Sequence, residues 1–169
     1  MATPTSLPAT FVAGNVLTAA QMNDLRGAFR ILQVVRATDS TARSTTSTSF
    51  VDANISVTIT PTSSSSDVLL IWSLRQNSTN SGAGMTRSNY QITDSSDVAI
   101  SGAENQLVGL FSSAIRNFGH VTVIGYDSPA TTSATTYKGR FAVQDSGGMT
   151  NAIQNDVNTG QLFALEISA

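Results

Sequence analysis

The amino-acid sequence predicts a mainly β protein: an antiparallel, jelly-roll-like β-sandwich preceded by an extended N-terminal arm and one short α-helix. After residue 37, apolar and polar residues alternate in short runs, which is the pattern of half-buried strands. Segments rich in Ser, Thr, Asp, Asn, Gly and Pro separate these runs and indicate turns. About eight short strands joined by turns fold most readily into two packed sheets.

The strand predictions depend on this period of two. Three segments alternate clearly, and two others alternate weakly. One further segment is a continuous apolar run that contains Trp72, which favours a strand buried on both faces and a core position for the tryptophan. The strands predicted in this way lie at residues 56–60, 68–72, 90–100, 118–126, 137–143 and 163–167.

An extended arm is predicted over residues 1–17, because Pro4 and Pro8 discourage helix. A short helix is predicted after it, since Thr18 is a plausible N-cap with Gln21 three residues later, as in a capping box. Apolar residues then recur at spacings of 3, 4 and 3, which places them on one stripe. The stripe either packs on its own domain or forms an assembly seam between subunits. Its members are Met22, Leu25, Phe29 and Leu32.

The change from helical spacing to alternation divides the chain into two parts. Residues 1–32 are predicted to serve attachment or oligomerisation, and residues 33–169 to form the sandwich domain. Edge strands are normally protected by Lys, Pro or charge. This chain contains four Pro and a single Lys, Lys138. Burial of the edges against sister subunits would supply the missing protection, so we expect a homo-oligomer.

Composition excludes several functions. Only 12% of the residues are charged and the net charge is −2, so we expect no nucleic-acid partner. No apolar run approaches the ~18 residues that cross a membrane, and the N-terminus lacks the features of a secretory signal. The chain has no Cys and one His, His120, which excludes thiolate chemistry and most nucleophile–base pairs.

Neither catalysis nor a metal or cofactor is expected. His120 has no nearby Cys or carboxylate ligands in the sequence, whereas even an open zinc site needs three protein ligands. Residues 94–97 and 151–158 are rich in Asp and Asn, but they lack the spacing of a calcium loop and are ordinary turn formers. The two glutamates, Glu104 and Glu166, do not suggest a carboxylate pair for glycoside cleavage.

A possible recognition loop is predicted at residues 77–89, which are polar and contain glycine. Long loops on a rigid scaffold often carry recognition, and a plain flexible connector is an equally good interpretation. The candidate recognition residues are Arg75, Asn77, Asn80, Arg87 and Asn89.

Several segments carry a family resemblance. The run Asp127-Ser-Pro-Ala-Thr-Thr-Ser-Ala-Thr-Thr-Tyr-Lys138 resembles a stretch of small bacteriophage virion proteins with a β-sandwich C-terminal domain. The segments 47–52 and 59–69 are similar to early strands of the same family, and 163–168 to its last strand. Residues 11–23, Phe-Val-Ala-Gly-Asn-Val-Leu-Thr-Ala-Ala-Gln-Met-Asn, resemble the start of phage tail and fibre proteins. Residues 77–116 match nothing specific.

The resemblance implies a non-enzymatic virion structural protein, assembled in the host cytoplasm and trimeric. In this interpretation it is a fibre or tail-tip appendage that attaches through its N-terminus. Its partners would be sister copies, other virion proteins and a host-surface glycan or protein. The first alternative is a capsid decoration or head-fibre protein that stabilises the shell, and the second is a carbohydrate-binding module. The family supplies no catalytic residues to transfer.

Overall fold

The computed structural model describes residues 31–82, 85–110, 116–145 and 147–168, and the single positions 14, 16, 18 and 19. Within these ranges the chain is built from antiparallel strands, and the predicted β-sandwich is confirmed. No helix in this part of the chain is long and apolar enough to cross a lipid bilayer. The strands are β1 (Ile31–Asp39), β2 (Arg43–Thr45), β3 (Val51–Ile59), β4 (Asp67–Asn80), β5 (Thr86–Asp94), β6 (Gln106–Leu110), β7 (Arg116–Asp127), β8 (Thr135–Val143), β9 (Met149–Ile153) and β10 (Gly160–Ile167).

The predicted N-terminal arm and helix fall almost entirely outside the described residues. Three members of the helical stripe, Met22, Leu25 and Phe29, lie there as well. The fourth, Leu32, belongs to β1, so the prediction that it lies on a helix is wrong. Strand structure prevails at this point because β1 pairs with β10 on both sides of Leu32, with Ile31 opposite Ile167, Gln33 opposite Glu166 and a bulge between them.

The strand pairing is nested. β1 pairs with β10, β2 with β9, β3 with β8, β4 with β7 and β5 with β6, in every case antiparallel. The first five strands therefore form one long double ribbon with the last five, and the ribbon turns back between β5 and β6. Further pairs, β4 with β10 and β9, and β5 with β8, form where the ribbon rolls up on itself.

Rolling the ribbon produces two sheets. The larger contains β1, β10, β4, β9 and β2, with β7 along the other edge of β4, and the smaller has the order β3-β8-β5-β6. With the short pair β2 and β9 set aside, the two sheets are β1-β10-β4-β7 and β3-β8-β5-β6. This arrangement of eight strands as two packed Greek keys is a jelly roll, as the sequence predicted.

The hydrophobic core fills the space between the two sheets. Its largest side chains are Trp72, Tyr90, Tyr137 and Phe141, all of which are buried. Trp72 and Tyr90 meet edge to face, with ring centroids 6.0 Å apart and an interplanar angle of 73°. The expected core position of Trp72 is thus confirmed.

Gly139 on β8 makes room for the indole of Trp72. A Cβ atom at this position would lie 2.8 Å from Cε2 of Trp72 and 2.9 Å from Cγ2 of Ile55. Real Cβ atoms do not approach other carbons this closely, and both neighbours are held in the packed core. The largest core side chain therefore depends on the absence of a side chain on the facing strand.

The connection from β3 to β4 is tied down by the buried carboxylate of Glu166. Its Oε1 accepts hydrogen bonds from the backbone N–H and the hydroxyl of Thr62, both at 2.7 Å, and its Oε2 accepts one from Nε2 of Gln33 at 2.7 Å. Burial acts to raise the pKa of Glu166, but the hydrogen bonds from Thr62 and Gln33 outweigh it and lower the pKa below its ordinary value of 4.5. The ionised carboxylate thus joins β10, β1 and the loop.

The Gly139→Ala variant is expected to lower the free energy of unfolding by about 1–3 kcal/mol, because the added methyl group overpacks the core against Trp72. Urea denaturation followed by tryptophan fluorescence measures the change. Gly119→Ala on β7 is the matched control, since a Cβ there would meet no atom within 4 Å. Equal stability of the two variants would contradict the close packing.

The Glu166→Gln variant is expected to lose about 1–3 kcal/mol of stability at neutral pH, because the amide cannot accept all three hydrogen bonds. The stabilisation by the carboxylate is complete above pH 4.5 and is lost as the pH falls through the lowered folded-state pKa.

The stability gap between wild type and Glu166→Gln should therefore narrow as the pH falls below 4.5, as measured by urea denaturation at each pH. Glu104→Gln, at the exposed second glutamate, is the control and should stay close to wild type at every pH. A gap for Glu166→Gln that does not change with pH would show that folding leaves the pKa of the Glu166 carboxyl group unchanged.

Candidate assembly surface

The outer face of the larger sheet carries rows of apolar side chains. Strands β1, β10, β4 and β7 lie side by side, and every second residue of each points away from the core. The register places Val34 opposite Leu165, Leu165 opposite Leu69, and Leu69 opposite Tyr126. One apolar row thus crosses four strands.

The neighbouring rows extend this surface. Arg36 begins the next row and is followed by Phe163, Ile71 and Ile124. On the opposite side of the first row, Ile31 pairs with Ile167. We call this surface the apolar face and define it by Ile31, Val34, Leu69, Ile71, Ile124, Tyr126, Phe163, Leu165 and Ile167.

Exposure on the apolar face is substantial. Val34 is 56% exposed, Ile124 is 55% exposed and Tyr126 is 47% exposed. The alternate residues on the same strands, such as Leu70 and Val123, are buried in the core. Since the two sides of the larger sheet are both apolar here, the sandwich buries one and leaves the other uncovered by the described residues.

A polar rim borders the apolar face. The row beyond Arg36 consists of Thr38, Gln161, Ser73 and Thr122. An apolar centre surrounded by polar residues is the usual anatomy of a protein–protein interface.

On the side of the apolar face opposite the polar rim, Asp67 fixes the position of Tyr126. Its carboxylate accepts a hydrogen bond from the Tyr126 hydroxyl at 2.6 Å and another from Ser128. The hydrogen bond to Asp67 raises the pKa of the Tyr126 phenol. The ring therefore lies on the apolar face with its hydroxyl group already paired within the chain.

The Asp-Ser-Pro-Ala motif follows β7 and has a structural role. Ser128 bonds to Asp67, and Asp127 accepts a hydrogen bond from the buried Tyr137 hydroxyl at 2.6 Å. Ala130 adopts a positive φ of 51°, which turns the chain towards β8. The motif thus connects β7 to β8 and anchors both ends of the connection.

The prediction of one long loop over residues 77–89 is wrong. Strand β4 continues to Asn80 and β5 begins at Thr86, so residues 81–85 alone connect the two strands. The alternation of burial continues through the second half of β4, where the inward residues are polar and so resemble a loop in composition.

The candidate recognition residues do not form one surface. Arg75 donates to Oδ1 of Asn158 at 3.3 Å, and Asn77 accepts from Nε of Arg116 at 2.8 Å, both on the outer side of the larger sheet. Asn80 points inward and is buried.

The other two recognition residues, Arg87 and Asn89, lie on β5 in the smaller sheet. Arg87 pairs with Asp145, and Asn89 donates to Oε1 of Gln144 at 2.6 Å. All five candidate residues therefore make contacts within the chain, and they are distributed over both sheets and the interior.

The candidate cation segments are also occupied by contacts within the chain. Oδ1 of Asp94 accepts from the backbone N–H groups of Ser96 and Val98, and Asp97 pairs with Lys138 and Arg140. The hydrogen bond from Lys138 lowers the pKa of Asp97. Within the described residues, no three His, Cys, Asp or Glu side chains cluster as a metal site.

His120 is exposed on β7, where the register places it opposite Arg75 of β4. The guanidinium group disfavours a cation at the same place. Asn151, the first residue of the second candidate cation segment, is buried in the interior.

A polar network inside the sandwich was missed at the sequence level. Tyr90 donates to Oδ1 of Asn151 at 2.7 Å, and Ser78 donates to Oε1 of Gln76 at 2.6 Å and bonds to Ser88. All five side chains are buried. Burial raises the pKa of the Tyr90 phenol, so the hydroxyl stays protonated as a donor.

A signal for this network exists in the sequence. Residues 76, 78 and 80 continue the inward period that begins at Val68, so extrapolating the period past the apolar run places them inside. The partners on β5 and β9 are set by long-range pairing, which the local pattern does not contain.

Comparison with known proteins adds no family to this description. The chain matches no protein-family model, and no curated protein is significantly similar to it.

The Asn151→Leu variant is expected to lower the free energy of unfolding by about 1–3 kcal/mol. The substitution removes an acceptor for Tyr90 and Ser78 and a donor to the carbonyl of Ala142, all in the buried interior. Thermal and urea denaturation measure the loss. Asn158→Leu, at an exposed position of the following turn, is the control and should change stability by less than about 0.5 kcal/mol. Similar effects of the two substitutions would contradict the importance of the network.

Proposed function

We propose that the protein is a non-enzymatic structural protein of a bacteriophage virion, a fibre or tail-tip appendage that attaches through its N-terminal part. The observation that carries this proposal is the apolar face. An exposed apolar patch bordered by polar residues is typical of a surface that another protein covers. Sister copies and other virion proteins are the proposed partners, with a trimer as the expected assembly and a host-surface glycan or protein as the further target.

The described sandwich begins next to the apolar face. Strand β1 forms an outer strand of the larger sheet, and its first residue, Ile31, belongs to the apolar face. Residues 11–23, which resemble the start of phage tail and fibre proteins, precede Ile31 in the sequence. We therefore propose that attachment involves the side of the sandwich on which β1 begins.

The carboxylates support a structural rather than a catalytic role. Glu166 holds the loop after β3, Asp67 holds Tyr126, Asp127 holds Tyr137, and Asp97 pairs with Lys138. An acid–base catalyst needs a group that is free to meet a substrate. These four side chains are instead engaged in contacts that join strands and turns.

Capsid decoration is the alternative proposal, because the same apolar face would suit contact with a shell. A carbohydrate-binding module has less support. Sugar rings stack on exposed aromatic rings, but Trp72, Tyr90 and Tyr137 are buried. Tyr126, on the outer strand β7, has its hydroxyl paired with Asp67, and the guanidinium of Arg116 lies 5.8 Å from the centroid of the exposed Phe118 ring.

Immunogold electron microscopy of purified phage particles, with antibodies raised against the isolated protein, tests the proposal. We expect label at the tail or its tip. Label distributed over the head would instead favour the decoration alternative. Particles that carry no label, with the protein also missing from their peptide mass spectra, would overturn a virion role.

A further inference from the structure

We infer that the apolar face is the surface through which copies of this chain pack against one another. This inference rests on the self-association that forms part of the proposed function. It assigns that contact to a particular part of the sandwich, namely the outer side of β1, β10, β4 and β7 rather than the smaller sheet or the turns.

The size of the apolar face suits one contact in an assembly. Four strands spaced ~4.8 Å apart, over about six residues of ~3.4 Å each, give roughly 400 Å² of sheet surface. A standard interface buries about 800 Å² on each partner, with an apolar centre and a polar rim. The apolar face would form the centre, and the polar row of Thr38, Gln161, Ser73 and Thr122 would extend the contact on one side.

The charges around the apolar face favour a sister copy over a partner of opposite charge. Arg36 is the charged member of the two central rows, and the carboxylate of Asp67 is already bonded to Tyr126 and Ser128. The net charge of the chain is only −2. A partner must therefore offer an apolar surface of similar outline, and a second copy presents the same one.

The apolar face is also organised before contact. The Tyr126 ring is fixed by its hydrogen bond to Asp67, and the branched side chains of Ile71, Ile124 and Val34 have few rotamers on a strand. Association therefore orders few side chains, which lowers the entropic cost of binding.

Sedimentation velocity over a range of protein concentrations tests the inference with two substitutions on the same side of β7. Ile124→Asp places a charge within the apolar face, whereas Thr122→Asp places one in the polar rim two residues away. We expect Ile124→Asp to raise the dissociation constant of the assembly at least about tenfold, with a much smaller effect of Thr122→Asp. Circular dichroism and the melting temperature verify that both variants fold, since both side chains are exposed in the single chain.

Cysteine protection provides a second test that does not depend on a charged variant. The chain has no Cys, so Ile124→Cys and Val98→Cys each create a single thiol. Val98 is exposed on the turn after β5 and is not among the residues that define the apolar face. We expect a maleimide reagent to label Cys at 124 at least about tenfold more slowly in the assembly than in the dilute monomer, and Cys at 98 at equal rates.

Three results would overturn the inference. They are a wild-type chain that is monomeric at all concentrations, an assembly in which Cys at 124 is labelled as fast as in the monomer, and a monomer that protects Cys at 124. The last result would assign the apolar face to the N-terminal segment of the same chain. None of them affects the immunogold result, so failure of this inference is distinguishable from failure of the virion proposal.

Discussion

Strand β4 is the element on which both the core and the apolar face depend. It is hydrogen-bonded to β7 along one edge and to β10 and then β9 along the other. Its inward residues change from apolar to polar after Leu74, and its outward residues change after Ile71. One strand therefore separates an apolar half, which builds the core on one side and the apolar face on the other, from a half that holds the buried polar network.

Strand β4 is apolar on both sides, and a single sandwich leaves one of these apolar sides in contact with water. The sandwich removes Leu70 and Trp72 from water, whereas Leu69 and Ile71 stay at the surface of the described chain. Apolar surface in water is unfavourable in proportion to its area. A sequence with few charges has little else to keep such faces apart, which agrees with the proposed association through this sheet.

The sequence predicted the sandwich because alternation is a local property. Tyr137, Phe141 and Val143 lie inside as their spacing indicates, and the strands at 118–126 and 163–167 are present. The prediction failed where inward-facing residues are polar and where a strand has the composition of a turn. The inward residues Gln76 and Ser78 resemble a loop, and Met149–Ile153, which forms β9, lies in a segment expected to turn. The continuous apolar run at 68–72 was assigned to burial on both faces, yet its outward half forms part of the apolar face, because only the sheet order shows which side is covered.

The nested pairing affects the order in which the chain can fold during synthesis. The innermost pair, β5 with β6, joins neighbours in the sequence, whereas the outermost joins Ile31 to Ile167. Such distant contacts are slow to form. On the ribosome, β1 emerges early but has no partner until β10, the last strand, has been made. Its apolar residues must therefore stay unpaired until β10 has been translated, which gives β1 the longest exposure of the described strands to premature contact with a neighbouring polypeptide.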